Sequence, residues 1–443
     1  METFEFFYAL NLFPIKIADY LSFSLASWVI YSPLAHSMIL VDETEFQSLK
    51  KEIETSGRFS QEELQKGLID NQTVPEANYV DSPHNVFALT ILPNDICNFS
   101  CSYCYAAKGH GHDEVDIQTL RTVLDFFIDR KRIKRQHLYI SFGGGGEPLL
   151  SWEKVKFVLQ YANALASSQD FIMHYSFASN GSVMNDDMIG YIKKYHIKTN
   201  ISFDILEDIQ NAQRKHYDKV CKTLDLLLEH DIYPTINSVI TPLNVSRQEE
   251  MVMEVHRRFP KLKRLSFDYV VDAKLYDTAD GLQAFYDEYT QHFFRAQKIG
   301  EGLGITVSSI KYHNLEQIKM RACAGGFDLT PHGTLSMCFF VSSPKEPFYT
   351  DFIYGEITDN KIEFDEEKFQ QLVKGSDNRQ DKCHSCFLKW HCAGGCLYHK
   401  KSYSKEMLDV MCRFQQKFSL IALVNKVTEQ NILEYESAES KQI

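Results

Sequence analysis

Apolar and polar residues alternate with two different periods along the middle of the chain, and this alternation predicts an α/β fold. Six short apolar runs of strand length occur between residues 87 and 271. The segments between them carry apolar residues three and four positions apart, as Val155, Val158 and Leu159 do behind a predicted Ser151 cap, which is the spacing of one helical face. The predicted strands are 87–92, 137–142, 173–178, 199–204, 235–240 and 265–271.

Six strand–helix units in succession predict a parallel sheet with right-handed crossovers, because consecutive parallel strands need a long connection between them. The sheet is expected either as an open barrel or as a doubly wound sheet. In both arrangements the carboxyl ends of the strands share one face, where ligands bind. Neither a P-loop nor a strand–GxGxxG–helix motif accompanies the strands.

The N-terminal region has a different pattern, typical of a small α+β module. A hairpin is predicted over residues 28–41, and two helical patterns follow over 43–54 and 60–69. Ser60 and Glu63 have the spacing of a capping box at the start of the second helix.

The C-terminal region is irregular until a last amphipathic helix, predicted at about 414–433 with a polar tail behind it. Changes of pattern therefore divide the chain into three predicted regions. These are an N-terminal module (1–85), an α/β core (86–305) and a C-terminal domain (306–443).

Composition and charge exclude several classes of function. The chain of 443 residues is 44% hydrophobic and 24% charged, a balance typical of a folded globular protein. Its formal net charge of −12 argues against binding of nucleic acid or anionic membranes, since no cationic excess neutralises phosphates. No run of about 18 apolar residues and no secretory signal is visible, so we expect a cytoplasmic protein without a membrane span. Thiols stay reduced there, which makes the eleven cysteines candidate metal ligands.

Three cysteines follow the first predicted strand, with the spacing Cys97-x3-Cys101-x2-Cys104. Three thiolates so close together can bind one face of a 4Fe–4S cluster and leave one iron without a protein ligand. A substrate or cofactor can chelate that open iron. The alternative is a zinc site whose fourth ligand is His110 or His112.

Seven more cysteines lie in the C-terminal region. They are Cys323, Cys338, Cys383, Cys386, Cys392, Cys396 and Cys412. Seven ligands suit one fully ligated cluster and one three-cysteine cluster, with Cys396 reaching the second cluster as the last cysteine does in two-cluster ferredoxins. Two zinc ribbons are the structural alternative. The eleventh cysteine, Cys221, lies among apolar positions of a predicted helix and is expected to be a buried, unreactive thiol.

Chemically distinctive residues stand at the ends of five successive predicted strands. The first three cysteines follow the first strand, the Gly-rich segment 143–148 follows the second, and Asn180 follows the third; Asp204 ends the fourth, and residues 241–244 follow the fifth. Tight turns would explain each feature singly, but not their coincidence at five strand ends. We therefore expect them to line one mouth of the sheet.

These motifs resemble the signature of radical S-adenosylmethionine (SAM) enzymes. The cysteine spacing, with Tyr103 before the third cysteine, is similar to the family's cluster motif, and residues 145–148 (Gly-Gly-Glu-Pro) resemble its GGEP motif. The resemblance implies a partial (β/α)6 TIM-like barrel in which Cys97, Cys101 and Cys104 hold the SAM-binding cluster. It also implies SAM contacts from Tyr103, Gly145, Gly146, Glu147, Asn180, Ser202, Asp204 and Arg214.

Individual roles follow from the same resemblance. Glu147 would accept a hydrogen bond from the SAM ammonium, Tyr103 would lie by the adenine, Ser202 would meet the ribose, and Arg214 would neutralise the carboxylate. The family's usual glycine after Asp204 is replaced here by Ile205, so the resemblance leaves the loop geometry at that point open.

The C-terminal cysteines, together with Gly333, resemble the SPASM domain, which carries two auxiliary 4Fe–4S clusters. The resemblance implies three 4Fe–4S clusters in all. Cys383, Cys386, Cys392 and Cys412 would ligate the outer auxiliary cluster. Cys323, Cys338 and Cys396 would ligate the inner one and leave its fourth position open or unusual.

The resemblance also implies the chemistry and the partners. Reductive cleavage of SAM would yield a 5′-deoxyadenosyl radical that abstracts hydrogen from a peptide or protein, with a flavodoxin- or ferredoxin-like electron donor. We favour a peptide maturase that acts on a ribosomal precursor, whose leader the N-terminal module would bind as an added strand. The alternatives are a structural lid for that module, an anaerobic sulfatase-maturing enzyme that makes formylglycine, and a non-catalytic iron–sulfur protein that binds peptides or carries electrons.

Overall fold

The computed structural model describes residues 4–21, 28–74, 80–377 and 379–428. The strands are β1 (Phe13–Lys16), β2 (Trp28–Ser32), β3 (Ser37–Val41), β4 (Ala88–Ile91), β5 (His137–Phe142), β6 (Ile172–Ser179), β7 (Lys198–Ser202), β8 (Thr235–Ile240), β9 (Arg264–Tyr269), β10 (Thr306–Ser308), β11 (Asp328–Leu329), β12 (Thr334–Ser336), β13 (Ile353–Thr358) and β14 (Lys361–Phe364). The helices are α1 (Glu5–Ala9), α2 (Glu43–Ser56), α3 (Glu62–Gln65), α4 (Ile117–Phe127), α5 (Trp152–Ser168), α6 (Asp186–Tyr195), α7 (Glu207–Gln213), α8 (Tyr217–Glu229), α9 (Gln248–Arg258), α10 (Ala279–Leu303), α11 (Ile310–Asn314), α12 (Tyr349–Phe352), α13 (Glu366–Ser376), α14 (Lys389–Cys392), α15 (Leu397–Ser402) and α16 (Lys405–Thr428).

The core is a parallel sheet in which strands β4 to β10 are neighbours in chain order. Each pair is parallel, and helices connect the strands. All six predicted core strands are present, and β5 and β8 have the predicted bounds. The α/β prediction is therefore confirmed, with β10 as a seventh parallel strand. The strand order runs from edge strand β10 to edge strand β14, and its parallel part follows the chain order from β4 to β10 without the reversal that a doubly wound sheet has.

The C-terminal region extends the core sheet. Strand β11 pairs in parallel with β4, and β12, β13 and β14 follow as an antiparallel meander. Because β4 leads into the first cysteine segment, this pairing joins the C-terminal region to the strand that precedes Cys97. The last helix, α16, begins at Lys405, nine residues before its predicted start, and residues after 428 lie outside the described part of the chain.

The N-terminal module contains the predicted hairpin, β2 and β3, with β1 on the other side of β2. Helix α2 begins at a capping box of Asp42 and Glu45. The second predicted helix is wrong in detail: α3 spans only Glu62–Gln65, and a π-helical turn follows over Lys66–Asp70. Its predicted capping box is absent because the Ser60 backbone N–H and hydroxyl both donate to Glu52 on the end of α2.

The module packs against the C-terminal domain. The Tyr31 hydroxyl is 2.7 Å from Nε2 of His391, and the Trp390 indole N–H donates to Asn11 at 3.1 Å. The rings of Tyr20 and Phe387 meet edge to face. These contacts join the first strands of the chain to the segment that carries Cys386 and Cys392. Within the described residues, no helix has the length and apolar character that a membrane crossing requires.

Candidate active site

The first cysteine segment is held to the Gly-rich loop by Asn94, a fully buried residue three positions before Cys97. Its side-chain amide donates to the Glu147 carbonyl at 3.0 Å and to the Ser151 hydroxyl at 2.6 Å. Its side-chain oxygen accepts the Ile96 N–H at 2.9 Å. Ser151 also donates to Glu114, so it joins two loops instead of capping α5 as the sequence had suggested.

The Gly-rich loop lies directly on the cysteine segment. The Gly146 N–H donates to the Asn94 carbonyl at 3.1 Å, and the Glu147 N–H donates to the Ile96 carbonyl at 2.8 Å. A Cβ on Gly146 would stand 2.1 Å from the Ile96 oxygen, and Gly145 has a left-handed φ of 64°. The two glycines therefore permit a backbone approach that no side chain allows.

Glu147 joins the ends of β5 and β6. Its buried carboxylate accepts hydrogen bonds from the Ser179 hydroxyl at 2.9 Å, the Asn180 N–H at 2.6 Å and the Leu149 N–H at 3.1 Å. Burial raises the pKa of Glu147, and these donors act against that rise. A carboxylate has about four acceptor directions, so three internal donors leave one for an external cation such as an ammonium.

Asn180 reaches the cysteines from the end of β6. Its side-chain amide lies 3.9 Å from the Cys97 sulfur and donates to Asn98 at 2.9 Å. The predicted convergence of strand ends is thus present at this corner of the sheet.

Tyr103, Asp204 and Arg214 form a buried triad at the end of β7. The Tyr103 hydroxyl donates to the Asp204 carboxylate at 2.9 Å, and Arg214 donates to the Tyr103 oxygen at 3.0 Å. Gln213 donates to Asp204 at 3.1 Å and accepts from the Thr241 hydroxyl at 2.6 Å, which brings in the end of β8.

Charges in this triad are stabilised mutually. Burial raises the pKa of Asp204, and Arg214 acts against that rise. Burial alone would lower the pKa of Arg214, but Tyr103, Cys101 and Asp204 raise it above its ordinary value. Arg214 Nε is buried and has no hydrogen-bond partner among the described residues. A buried guanidinium N–H without an acceptor suits an anionic ligand such as a carboxylate.

Ser202 and Ile205, two other positions singled out in the sequence, lie outside the hydrogen bonds of the triad. Ser202 ends β7 in register with Asn237, and its hydroxyl takes no part in the hydrogen bonds of the triad among described residues. Ile205 adopts the left-handed conformation of the glycine it replaces, with φ 66°, and is buried. The backbone at residue 205 therefore has the left-handed conformation that glycine adopts most easily, although an isoleucine stands there.

The first three cysteines suit a metal cluster. Burial raises the pKa of the Cys101 thiol to about 11 and also raises the pKa values of Cys97 and Cys104. Such thiols ionise when a metal stabilises the thiolate, and are poor nucleophiles without one. His110, the alternative zinc ligand, lies with its Nε2 3.9 Å from the Cys104 sulfur, whereas His112 is exposed.

Five C-terminal cysteines line one cavity of about 370 Å³. They are Cys383, Cys386, Cys392, Cys396 and Cys412. Ala393, Gly394 and Gly395 all have positive φ, which lets the chain turn back between the third and fourth of these cysteines. The Gln416 amide donates to the Cys386 sulfur at 3.3 Å, and Lys311 also lines the cavity. Cys383, Cys386 and Cys392 are half-buried and Cys396 and Cys412 are exposed, and donors and a cation around such a group of thiols suit an iron–sulfur cluster.

The other two C-terminal cysteines lie near Cys396. Burial raises the pKa values of Cys323 and Cys338, and the proximity of Cys396 raises both further. Asp328 is buried beside them, and burial raises its pKa to about 7. Cys221 is buried on α8, as predicted, away from both groups.

Sequence reasoning missed Asn94 and Gln213, whose side chains hold the site together. Asn94 follows Pro93, a context that reads as an ordinary turn. Gln213 precedes Arg214 on α7, where it looks like a solvated helical residue. Only their partners, from strands distant in the chain, reveal their roles.

Comparison with known proteins places this site in a family. The model of the radical SAM superfamily matches residues 91–255. The radical SAM cyclopropyl synthase TigE of Paramaledivibacter caminithermalis is 24% identical over 409 residues, covering 82% of this chain and 79% of that enzyme. The cysteine-type anaerobic sulfatase-maturating enzyme of Clostridium novyi is 22% identical over 346 residues, covering 69% of this chain and 86% of that enzyme.

A solved structure shares the fold. The structure of anSMEcpe with bound AdoMet and Kp18Cys peptide has a TM-score of 0.62 and 17% identity, and covers 77% of this chain and 99% of that one. The family model includes the first three cysteines, the Gly-rich loop, Asp204 and Arg214, all of which converge at the sheet mouth. Residues 91–255 of this chain, which carry these motifs, therefore match the radical SAM superfamily.

Proposed function

We propose that the protein is a radical SAM maturase that oxidatively modifies or crosslinks a ribosomal precursor peptide in the cytoplasm, with electrons from a flavodoxin- or ferredoxin-like donor. The observation that carries the radical chemistry is the meeting of the three cysteines with the Gly-rich loop through Asn94 and Asn180. When bound, a 4Fe–4S cluster supplies the electron that cleaves SAM to a 5′-deoxyadenosyl radical, which takes a hydrogen atom from the substrate.

The residues around this site have distinct roles in the proposal. Cys97, Cys101 and Cys104 ligate the cluster. Glu147 offers its remaining acceptor direction to the SAM ammonium, and Arg214 offers its unpartnered Nε–H to the SAM carboxylate. Gly145 and Gly146 hold the loop against the cysteine segment, and burial of the site excludes water from the radical.

Tyr103 and Asp204 are assigned a positioning role, because their polar atoms are engaged with each other and with Arg214. Asn180 supports the Cys97 sulfur through its amide. Ser202, half-buried at the end of β7, is the residue left to meet the ribose.

The proposal includes two auxiliary 4Fe–4S clusters. The cavity lined by Cys383, Cys386, Cys392 and Cys412 supports the outer one. The mutual influence of Cys323, Cys338 and Cys396 supports the inner one. Two zinc ribbons remain the competing assignment for the same seven thiols.

Anaerobic reconstitution tests the radical SAM assignment directly. We expect about twelve irons and twelve sulfides per chain, and 5′-deoxyadenosine when SAM and dithionite are added. The joint replacement of Cys97, Cys101 and Cys104 by Ala should remove about four irons and all 5′-deoxyadenosine. Near-complete product formation in that variant, or stoichiometric zinc with little iron, would contradict the assignment.

The substrate class is tested by comparing the turnover of different peptides. A precursor peptide encoded beside the gene should be modified much faster with its leader than without it, because leader binding supplies local concentration at the mouth. Deletion of residues 1–80 is a poorer test of leader binding. It removes Phe13, Val29 and Tyr31 from the main hydrophobic core, so any loss of activity could result from misfolding. The match to the sulfatase-maturating enzyme supports the second candidate, which predicts turnover of a short Cys- or Ser-containing peptide without any leader.

A further inference from the structure

Three potential metal ligands meet outside both cysteine groups. They are Asp95, just after β4, Asp113, which follows the cysteine segment, and His332, in the turn between β11 and β12. One ligand atom from each residue lies within 4.8 Å of one from each of the others. The group therefore lies where the first cysteine segment meets the C-terminal meander.

Two atoms of this group are buried and lack partners. Asp95 is 1% exposed, and its Oδ1 accepts the Asp113 N–H at 2.8 Å. Asp95 Oδ2 and His332 Nε2 have no hydrogen-bond partner among the described residues. They lie 3.8 Å apart, beyond the range of a hydrogen bond. Leaving both unpaired costs free energy that a ligand between them would recover.

The separation of these atoms suits a cation. Zinc binds carboxylate oxygen and imidazole nitrogen at about 2.0–2.2 Å, so two ligand atoms 3.8 Å apart subtend about 130° at the ion. A carboxylate oxygen of Asp113 lies within 4.8 Å of the ligand atoms of both Asp95 and His332. Gly111 adjoins the gap, and a Cβ there would stand 2.6 Å from Asp95 Oδ2. The absence of a side chain at residue 111 therefore lets the backbone pack against the Asp95 carboxylate without filling the space beside Oδ2.

We propose that Asp95, Asp113 and His332 form a Zn²⁺ site, distinct from the iron–sulfur sites. One imidazole and two carboxylates balance the ion's charge, and Asp113, with a side chain 64% exposed, leaves a route for entry and for a water ligand. The ion binds residues on both sides of the junction between the cysteine segment and the turn that precedes Cys338. It therefore fixes the first cysteine segment relative to the C-terminal domain.

The test uses the anaerobically reconstituted full-length enzyme, incubated with Zn²⁺ and desalted. We expect about one zinc per chain, with a zinc-edge X-ray absorption spectrum that shows nitrogen and oxygen ligands and no sulfur. His332→Gln and Asp113→Asn should each weaken zinc binding at least tenfold while the iron content stays at the wild-type value. His84→Gln is the matched control, because within the described part of the chain the His84 ring pairs with a single carboxylate, that of Glu366, which is not one of the proposed ligands.

Thermal unfolding with and without zinc gives a second, independent readout. Zinc should raise the thermal midpoint of the wild type and of His84→Gln, and should leave that of His332→Gln unchanged. If His332→Gln does not fold, Asp113→Asn, at a more exposed position, decides alone. Zinc–sulfur scattering, zinc retained in the variants, or no zinc in the wild type would overturn the site.

Discussion

At the scale of single residues, Gly146 is the position where the site has least room. A methyl group there would stand 2.1 Å from the Ile96 carbonyl and 2.3 Å from the Asn94 side chain. We expect Gly146→Ala to displace the cysteine segment, lower the iron content by about four and abolish SAM binding. Metal analysis and anaerobic calorimetry measure both effects.

The control for Gly146→Ala is another glycine without close neighbours. Gly190 lies on α6, and a Cβ there meets nothing within 4 Å. Gly190→Ala should keep the iron and SAM binding and stabilise the fold by about 0.5–1 kcal/mol. Wild-type SAM affinity in Gly146→Ala would show that the loop yields to a side chain and that the two glycines are not needed for its close approach.

At the scale of elements, the turn from β7 into α7 depends on an unusual conformation of a β-branched residue. Ile205 has φ 66° and is 1% exposed. Left-handed backbone costs a side-chain-bearing residue about 1–2 kcal/mol, whereas glycine adopts it freely. Burial of the isoleucine side chain offsets this strain, because removing such a side chain from a core costs about 2–5 kcal/mol.

The strain at residue 205 predicts that a glycine variant is more stable than an alanine variant there, which reverses the usual order. Both Ile205→Ala and Ile205→Gly lose the side chain, but only the alanine retains the strain, so the glycine variant should be the more stable by about 1 kcal/mol. The control is Ile201, fully buried within β7, where alanine should be more stable than glycine. Thermal or denaturant unfolding of the four variants measures both orders. The same order at both sites would mean that residue 205 is not strained.

At the scale of the whole molecule, a buried hydrogen bond links the N-terminal module to the segment that carries the cysteines proposed for the outer cluster. The Tyr31 hydroxyl meets His391, the neighbour of Cys392, at 2.7 Å. Burial lowers the pKa of His391 to about 4, so the imidazole stays neutral in the folded protein.

Removal of the Tyr31 hydroxyl should therefore make the proposed outer cluster lose its iron more easily. Tyr31→Phe leaves a ring nitrogen of His391 unpaired, which should cost about 1–3 kcal/mol of folding free energy and speed loss of iron to a chelator. Tyr20→Phe, at the same interface, keeps its ring contact with Phe387 and serves as the control. Equal rates of iron loss in the two variants would show that the module does not support the outer site.

The sequence by itself determined the periodic elements and the cysteine and Gly-rich motifs that lie within the match to the radical SAM superfamily, because both depend on short spacings. The strand bounds of β5 and β8, the hairpin of the N-terminal module and the order of cysteines all follow from residues adjacent in the chain. The carboxyl-end rule for parallel strands also predicted which segments would meet.

Only the tertiary structure decided how those segments are held. Asn94, the Tyr103–Asp204–Arg214 triad and the group around Asp95 and His332 depend on partners tens to hundreds of residues away. Local signals also misled where a distant acceptor competed: Ser60 and Ser151 have the spacing of helix caps, but Glu52 and Glu114 accept their hydroxyls. A buried polar atom takes whichever partner the fold supplies, and that choice is made in three dimensions, beyond the reach of short sequence spacings.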